Sequence, residues 1–314
     1  MVKTAFIFPG QGSQSIGMLS KFIPQYPIIT DIFAQASEAV GYDLWQLAQS
    51  GPEEKLNQTE YTQVVMLTAD VAVYTLLMQQ GVAHPQLMAG HSLGEYAALV
   101  AANSLSLADA ARLVVQRGKV MQSTVPMGTG AMAAIVGLTD EQVKFLCEEA
   151  SRPNQKVSPA NYNAIGQVVV AGHTPAVERL VVLADGSGAL LAKIIPVSVP
   201  CHCSLLTEAA ALFATSLEQV EFIKPSIDVV SNVDLSIYKS GQHIRDKLKE
   251  QLYSPVRWVE TIQLFKAQSV DLVVECGPGK VLSGLVKRID RAITAISVCD
   301  PIGLDQVISD TNLR

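Results

Sequence analysis

One serine, placed between two glycines at the junction of two different patterns, limits most strongly how this chain can fold. Residues 85–92, PQLMAGHS, form a short apolar run typical of a strand, and LGEYAALVAAN follows at once as a helix. Gly90, Ser92 and Gly94 match G-x-S-x-G, in which a tight strand-to-helix turn exposes a serine hydroxyl above a sheet. The free N–H groups and positive end of the helix point at the same spot. The pattern therefore predicts a nucleophilic serine, whereas the alternative is a serine that only caps the helix.

The order of the remaining patterns predicts an α/β fold in two domains. Strands and helices alternate over residues 1–126 and 198–314, which is typical of a mostly parallel sheet covered by helices. Residues 127–197 have a different order of predicted elements, β-α-β-β-α-β, which is that of the ferredoxin-like unit. We therefore expect a large discontinuous domain with a small inserted subdomain. Ser106 and Asp109 are interpreted as a capping box before the helix that follows them.

Composition excludes several classes of protein. The net charge of −6 and pI of about 5.4, without a basic arm, argue against a nucleic-acid partner. Apolar runs stop short of the ~18 residues of a membrane span, and the N-terminal MVKTAFIFPGQG is typical of a first strand rather than a signal peptide, so we expect a cytoplasmic protein. The odd number of cysteines, 5, argues against a disulfide framework. The CHC triplet at 201–203 has no second ligand pair at zinc spacing, so no metal site is predicted.

A nucleophilic serine needs a base, and elimination among the 5 histidines favours His202. His84 lies in a predicted loop, His173 follows a predicted strand, and His243 lies at the start of a charged helix. His91 is next to Ser92 on the turn, and adjacent residues on a turn do not face each other. His202 lies where the chain leaves the small subdomain. An acid that would orient this imidazole is not evident. Either the acid is hidden, or a neutral acceptor such as a backbone carbonyl takes its place.

A series of segments spread over nearly the whole chain resembles the malonyl-CoA:acyl-carrier-protein transacylases. In chain order the segments are FPGQGSQ, GHSLGEYAAL, QRGKVMQ, GTGAMAAIVG, NYNAIGQVVVAG, PVSVPCHCSLL, QLYSPVRW and ECGPGKVLSGLVKRI. The resemblance implies an α/β-hydrolase-like large domain with a ferredoxin-like insert. It also implies transfer of malonyl from malonyl-CoA to the phosphopantetheine thiol of acyl carrier protein for fatty-acid synthesis. That thiol is carried by the partner, so no bound cofactor is expected, and we expect a monomer.

The resemblance also implies roles for individual residues. Ser92 is implied to become malonyl-serine, His202 to be its base, and the backbone carbonyl of Gln251 to orient the histidine, which would replace the missing acid. The remaining implied roles are an oxyanion hole (Gln11 and the N–H of Leu93), a clamp on the malonyl carboxylate (Arg117) and a pair lining the site (Asn161 and Asn163).

The residue chemistry supports two of these roles independently. Gln11 follows a predicted strand end, where loops reach active sites, and carries an N–H donor. Arg117 interrupts an apolar helical run, and a buried guanidinium is costly unless it is paired, for which a carboxylate suits its planar fork. The alternatives are a polar turn residue and an arginine on the solvent face. The glycines near Gln11 fail the dinucleotide fingerprint because the third position is Ser15.

Other functions remain open at this point. A malonyl transferase of polyketide synthesis or of malonate decarboxylation would share these motifs, and a serine thioesterase would need an acid aimed at His202. A non-catalytic scaffold would not need this set of residues. Lys280, Lys287, Arg288 and Arg291, on the last predicted helix and its exit, are either a docking site for the acidic carrier or a solvated face.

Overall fold

The computed structural model describes residues 3–312, which form two sheets and the helices around them. The strands are β1 (Thr4–Phe8), β2 (Leu87–Gly90), β3 (Gly130–Val136), β4 (Val157–Ala164), β5 (Gln167–His173), β6 (Leu191–Ile195), β7 (Asp228–Val230), β8 (Leu272–Cys276) and β9 (Thr294–Val298). The helices are α1 (Ile28–Val40), α2 (Leu44–Ser50), α3 (Glu53–Leu56), α4 (Thr59–Gln79), α5 (Gly94–Ala101), α6 (Leu107–Thr124), α7 (Asp140–Ala150), α8 (Thr174–Gly186), α9 (Thr207–Glu218), α10 (Gly241–Gln251), α11 (Trp258–Ala267), α12 (Val281–Ile289) and α13 (Pro301–Asn312).

The larger sheet is parallel and has the strand order β7-β2-β1-β8-β9. Its strands are short apolar runs, as expected for a sheet covered by helices on both faces, and separate apolar clusters fill the two sides. Phe8 at the end of β1 is in register with Gly90 at the end of β2, so the loops that follow these strands leave the sheet side by side. The predicted α/β class with a mostly parallel sheet is confirmed.

The smaller sheet is antiparallel, has the order β4-β5-β3-β6, and shares no strand with the larger one within residues 3–312. Its elements follow one another as strand, helix, strand, strand, helix, strand, the order predicted for residues 127–197. Helices α7 and α8 pack on one face. On the other face Met132 and Ala171 pack with Cys203, so this sheet covers the loop that carries His202.

Some local predictions were wrong or incomplete. Ser106 accepts a hydrogen bond from the backbone N–H of Asp109, but the carboxylate of Asp109 accepts from the Ser106 hydroxyl and from Arg112. The reciprocal half of a capping box is therefore missing, because the short aspartate side chain is already occupied. Helix α12 is not the last helix, since β9 and α13 follow it; the five-residue β9 was too short for its pattern to stand out.

Helix α4 is long and apolar enough to cross a membrane by length and composition alone. Here it is a core helix, because 83% of its apolar stretch is buried inside the protein. It packs against α1, α5 and α6, and this packing accounts for its uniform apolarity.

Candidate active site

The turn that carries Ser92 joins the end of β2 to the start of α5, as the motif predicts. Ser92 has φ 53°, in the left-handed region that residues other than glycine rarely adopt. Both flanking glycines are required sterically. A Cβ on Gly90 would overlap the backbone of Gly94, and a Cβ on Gly94 would overlap the carbonyl of Phe8. The turn therefore needs two small residues to hold the half-buried serine in a strained conformation at the cavity.

The imidazole of His202 lies against this serine. Ser92 Oγ and His202 Nε2 are 2.7 Å apart, although the residues are far apart along the chain. His202 also has a positive φ, 61°, and its backbone N–H donates to Leu252 at 3.0 Å. The loop thus fixes the ring in place, and the structure brings together the serine and the histidine selected from the sequence.

Backbone carbonyls, not a carboxylate, hold the other ring nitrogen. His202 Nδ1 lies 2.8 Å from the carbonyl oxygen of Gln251 and 3.2 Å from that of Ser254. A carbonyl only accepts, so Nδ1 carries the hydrogen and Nε2 is free to accept from Ser92. No Asp or Glu among residues 3–312 pairs with this ring. Of the two possibilities left open by the residues, the structure has the neutral acceptor.

Burial and a nearby positive charge keep this histidine neutral. His202 is 2% exposed, and burial together with the charge of Arg117 lowers its pKa from 6.5 to about 3. The two carbonyl contacts oppose this shift and are outweighed. At neutral pH the ring is therefore unprotonated at Nε2, and the lone pair of this nitrogen faces the Ser92 hydroxyl.

Two backbone segments with N–H groups border the serine. Leu93 is the residue just before α5, and its N–H donates to no acceptor within the described part of the chain. The loop after β1 packs on the turn, because a Cβ on Gly10 would lie 2.5 Å from the carbonyl oxygen of His91 and 3.7 Å from the nitrogen of Leu93. Gln11 follows Gly10, is exposed, and lines the same cavity as Ser92 and Leu93. Leu93 and Gln11 thus border the cavity beside Ser92, on the side where an oxyanion hole would require N–H donors.

Arg117 lies inside the protein, so the solvent-face alternative is wrong. It is 2% exposed, its Nη2 donates to Gln251 Oε1 at 3.0 Å, and its guanidinium lies 5.6 Å from the Tyr96 ring centroid. Its Nε is buried without a hydrogen-bond partner, and no carboxylate forms an ion pair with it among residues 3–312. A buried, incompletely paired guanidinium in a cavity wall is a site for an anion.

The cavity that contains these groups has a volume of about 770 Å³ and lies between the two sheets. Asn161 and Asn163 on β4 both line it. Asn163 Oδ1 lies 2.8 Å from His91 Nε2, so this asparagine also fixes the histidine next to the serine. Met132 and Val169 of the small sheet add apolar wall. The volume and mixed lining suit a small polar group on a long flexible arm.

Sequence reasoning missed a buried polar network beneath the turn. Asn232 accepts from the backbone N–H of Ser92 at 2.7 Å and donates to the carbonyl of Gly90 at 2.6 Å. Glu95 is wholly buried and accepts from Tyr238. Glu95 is the charged residue inside the apolar run LGEYAALV, and this position could have identified it from the sequence. Asn232 follows a buried strand, the position from which parallel sheets present functional side chains.

The basic residues singled out from the sequence lie on and around α12. Lys280, Lys287, Arg288 and Arg291 are all exposed, and Arg288 Nη1 donates to Gln167 at 2.6 Å. Leu282 and Leu285 of the same helix line the cavity, so the cluster borders the site.

The chain is similar to known acyl transferases in sequence and in fold. Residues 5–310 match the family model of the acyl transferase domain. The chain is 52% identical over 301 residues to the malonyl CoA-acyl carrier protein transacylase of Escherichia coli strain K12, covering 96% of this chain and 97% of that protein. A crystal structure of an acyl carrier protein S-malonyltransferase from Vibrio cholerae is 48% identical, with a TM-score of 0.95 over 97% of this chain and 99% of that one.

A third relative was solved with its partner. It is a malonyl-transacylase in complex with a type II polyketide synthase acyl-carrier protein, 47% identical to this chain, with a TM-score of 0.96 over 98% of this chain and 99% of that chain.

Proposed function

Because this chain belongs to the acyl transferase domain family and, within it, to the malonyl CoA-acyl carrier protein transacylases, we propose that it transfers malonyl from malonyl-CoA to the phosphopantetheine thiol of an acyl carrier protein. The observation that carries this proposal is the 2.7 Å contact between Ser92 Oγ and His202 Nε2, in a cavity that also contains a buried, incompletely paired arginine.

In the first half of the reaction, Ser92 Oγ attacks the thioester carbonyl carbon and His202 Nε2 takes the hydroxyl proton. The oxyanion is held by the N–H of Leu93 and an N–H of Gln11, and one such donor typically contributes about a hundred- to thousandfold in rate. The C–S bond then breaks, and coenzyme A leaves as a thiol with the proton from His202. Malonyl-serine remains.

In the second half, the phosphopantetheine thiol gives its proton to His202 and its sulfur attacks the same carbonyl carbon. The bond to Ser92 breaks, and the serine oxygen recovers the proton. Each half returns His202 to its neutral form, so the ring needs only one neutral tautomer. The carbonyls that fix Nδ1–H maintain that tautomer throughout.

Arg117 is proposed to bind the free carboxylate of the malonyl group with the N–H groups that it leaves unpaired. Arg117→Ala is expected to lower kcat/KM for malonyl-CoA about a hundred- to thousandfold, the effect of removing one partner of a buried charge pair. Transfer of acetyl, which has no carboxylate, should persist. Arg112→Ala is the matched control, because Arg112 is exposed on the same helix and pairs with Asp109. Equal losses for malonyl and acetyl would remove the clamp role.

The carrier surface is proposed to be the exposed basic cluster around α12, because carriers are acidic and this cluster borders the cavity. The identity of the carrier decides the pathway. Fatty-acid synthesis is our first proposal, and polyketide synthesis is the second, because one similar structure holds a polyketide carrier. Transfer of radiolabelled malonyl to purified carriers of both kinds, with Ser92→Ala as control, tests the proposal. Label that reaches neither carrier, or reaches one with Ser92→Ala, would refute it.

Finer features of the fold remain proposals. We assign residues 1–126 and 198–314 to an α/β-hydrolase-like catalytic domain and 127–197 to a ferredoxin-like subdomain. The separate small sheet with its β-α-β-β-α-β order supports this division. A cytoplasmic location stays a prediction.

A further inference from the structure

A buried carboxylate that the reaction scheme does not use lies beneath the proposed nucleophile. Glu95 is 0% exposed; its Oε1 accepts from the Tyr238 hydroxyl at 2.6 Å and from the N–H of Asn232 at 3.2 Å, and its Oε2 accepts from Gln251 Nε2 at 2.5 Å. We propose that Glu95 is a positioning residue that fixes the orientation of the Gln251 side-chain amide and thereby holds Arg117 ready for the substrate carboxylate. This inference rests on the proposed role of Arg117.

The Gln251 amide fits its surroundings in one orientation. Its Nε2 donates to Glu95 Oε2 and to the carbonyl of Ser92 at 3.0 Å, while its Oε1 accepts from Arg117 Nη2. A flipped amide would place an acceptor against a carboxylate and a carbonyl, and would place a donor against the guanidinium. Ionised Glu95, together with the carbonyl of Ser92, therefore determines which amide atom faces Arg117.

The amide between the two charges keeps the arginine available. Glu95 interacts electrostatically with Arg117, yet forms no direct ion pair with it. A carboxylate directly on the guanidinium would occupy the N–H groups that a substrate carboxylate needs. With Gln251 between them, Glu95 offsets part of the buried positive charge, and Arg117 Nε stays unpartnered. The contact with Gln251 thus orients the guanidinium of Arg117 and leaves N–H groups free for a substrate carboxylate.

The charge of Glu95 is expected to change in the pH range where the enzyme is assayed. Burial raises its pKa to about 7, opposed by the hydrogen bonds from Tyr238, Gln251 and Asn232 and by the charge of Arg117. Of the ionisable groups facing it, burial raises the pKa of Tyr238 and Tyr96, so both stay neutral.

The two histidines at the site have lowered pKa values, so they favour the neutral form at pH 8. The pKa of His202 is lowered to about 3, and burial lowers that of His91. Below pH 7, protonated Glu95 no longer requires a donor from Gln251. Acidification should therefore raise KM for malonyl-CoA through Glu95.

Glu95→Gln tests the inference, because it keeps the size of the side chain and removes the charge. Initial rates of acyl transfer are measured with malonyl-CoA and acetyl-CoA between pH 6 and pH 8.5. We expect KM for malonyl-CoA to rise roughly tenfold or more at pH 8, the effect of weakening a hydrogen bond to a charged group. Its pH dependence should disappear, and acetyl transfer should change less than about twofold. An unchanged malonyl KM, or equal losses for both acyl groups, would overturn the role.

Tyr238→Phe keeps the test decisive if the first variant does not fold. It removes one hydrogen bond that lowers the pKa of Glu95, so the midpoint of the malonyl KM profile should move to higher pH. A midpoint that does not move contradicts the inference. The Arg117→Ala variant tests the proposed clamp independently of Glu95. If this variant loses malonyl and acetyl transfer equally, Arg117 does not bind the malonyl carboxylate. If Arg117→Ala loses malonyl transfer and Glu95→Gln keeps it, the clamp role of Arg117 stands and the positioning role of Glu95 is wrong.

Discussion

Acid should weaken the fold through His202, and replacing this residue should remove that effect. The pKa of His202 is about 3 in the folded protein and about 6.5 when the chain unfolds. The unfolded state therefore binds more protons between these values, so stability falls as pH drops from 6.5 towards 3. Each pH unit within this window is worth about 1.4 kcal/mol. Between pH 7.5 and pH 5.0 the loss due to His202 should be about 2 kcal/mol.

The assay is urea unfolding of the parent and of His202→Gln at both pH values. The variant should lose about 2 kcal/mol less free energy of unfolding than the parent over this interval. Glu95, whose pKa is raised to about 7, contributes with the opposite sign between pH 4.5 and pH 7, but it does so in both proteins and cancels in the difference. His84→Gln, at an exposed histidine, is the control.

The same pH dependence in parent and His202→Gln would show that the ring is not held neutral by burial. The explanation of its basicity at the serine would then be wrong. A pH dependence that is lost in His84→Gln as well would point to a general effect of surface charge.

Further predictions concern the turn and the carrier surface. Gly94→Ala should lower the free energy of unfolding by about 1–3 kcal/mol or more, because its Cβ meets the carbonyl of Phe8; Gly284→Ala on α12, with nothing within 4 Å, should raise it by about 0.5–1 kcal/mol. Chemical denaturation checks both, and similar losses at the two sites would contradict the steric account. Reversing Lys287 and Arg288 to glutamate should raise the KM for carrier and leave that for malonyl-CoA unchanged; an unaltered carrier KM would exclude docking there.

Local chemistry made the central pair predictable from the sequence. G-x-S-x-G specifies a turn whose geometry depends on the few residues within it, so Ser92 could be placed from residues 85–103 alone. His202 followed by elimination among few histidines. Arg117 stood out because a charge inside an apolar run has to be explained. These signals are carried by sequence neighbours, and the described structure places all three residues around one cavity.

The groups that hold these residues could not be read from the chain in the same way. The acceptor for His202 Nδ1 is a backbone carbonyl, and every residue has one, so residue chemistry alone left that position open until family resemblance indicated Gln251. The contacts of Asn232 and of the Gln251 side chain join residues that are distant in sequence. Glu95 carried a local signal, a charge in an apolar helix, but its partners depend on tertiary packing.

Ser92 is proposed to carry the malonyl group between the two substrates. The most direct measurement is peptide mass spectrometry after the protein is mixed with malonyl-CoA without carrier. We expect a malonyl adduct on the peptide that contains Ser92, absent from Ser92→Ala and lost when carrier protein is added. A folded protein that transfers malonyl to carrier with no adduct, or with the adduct on another residue, would contradict it.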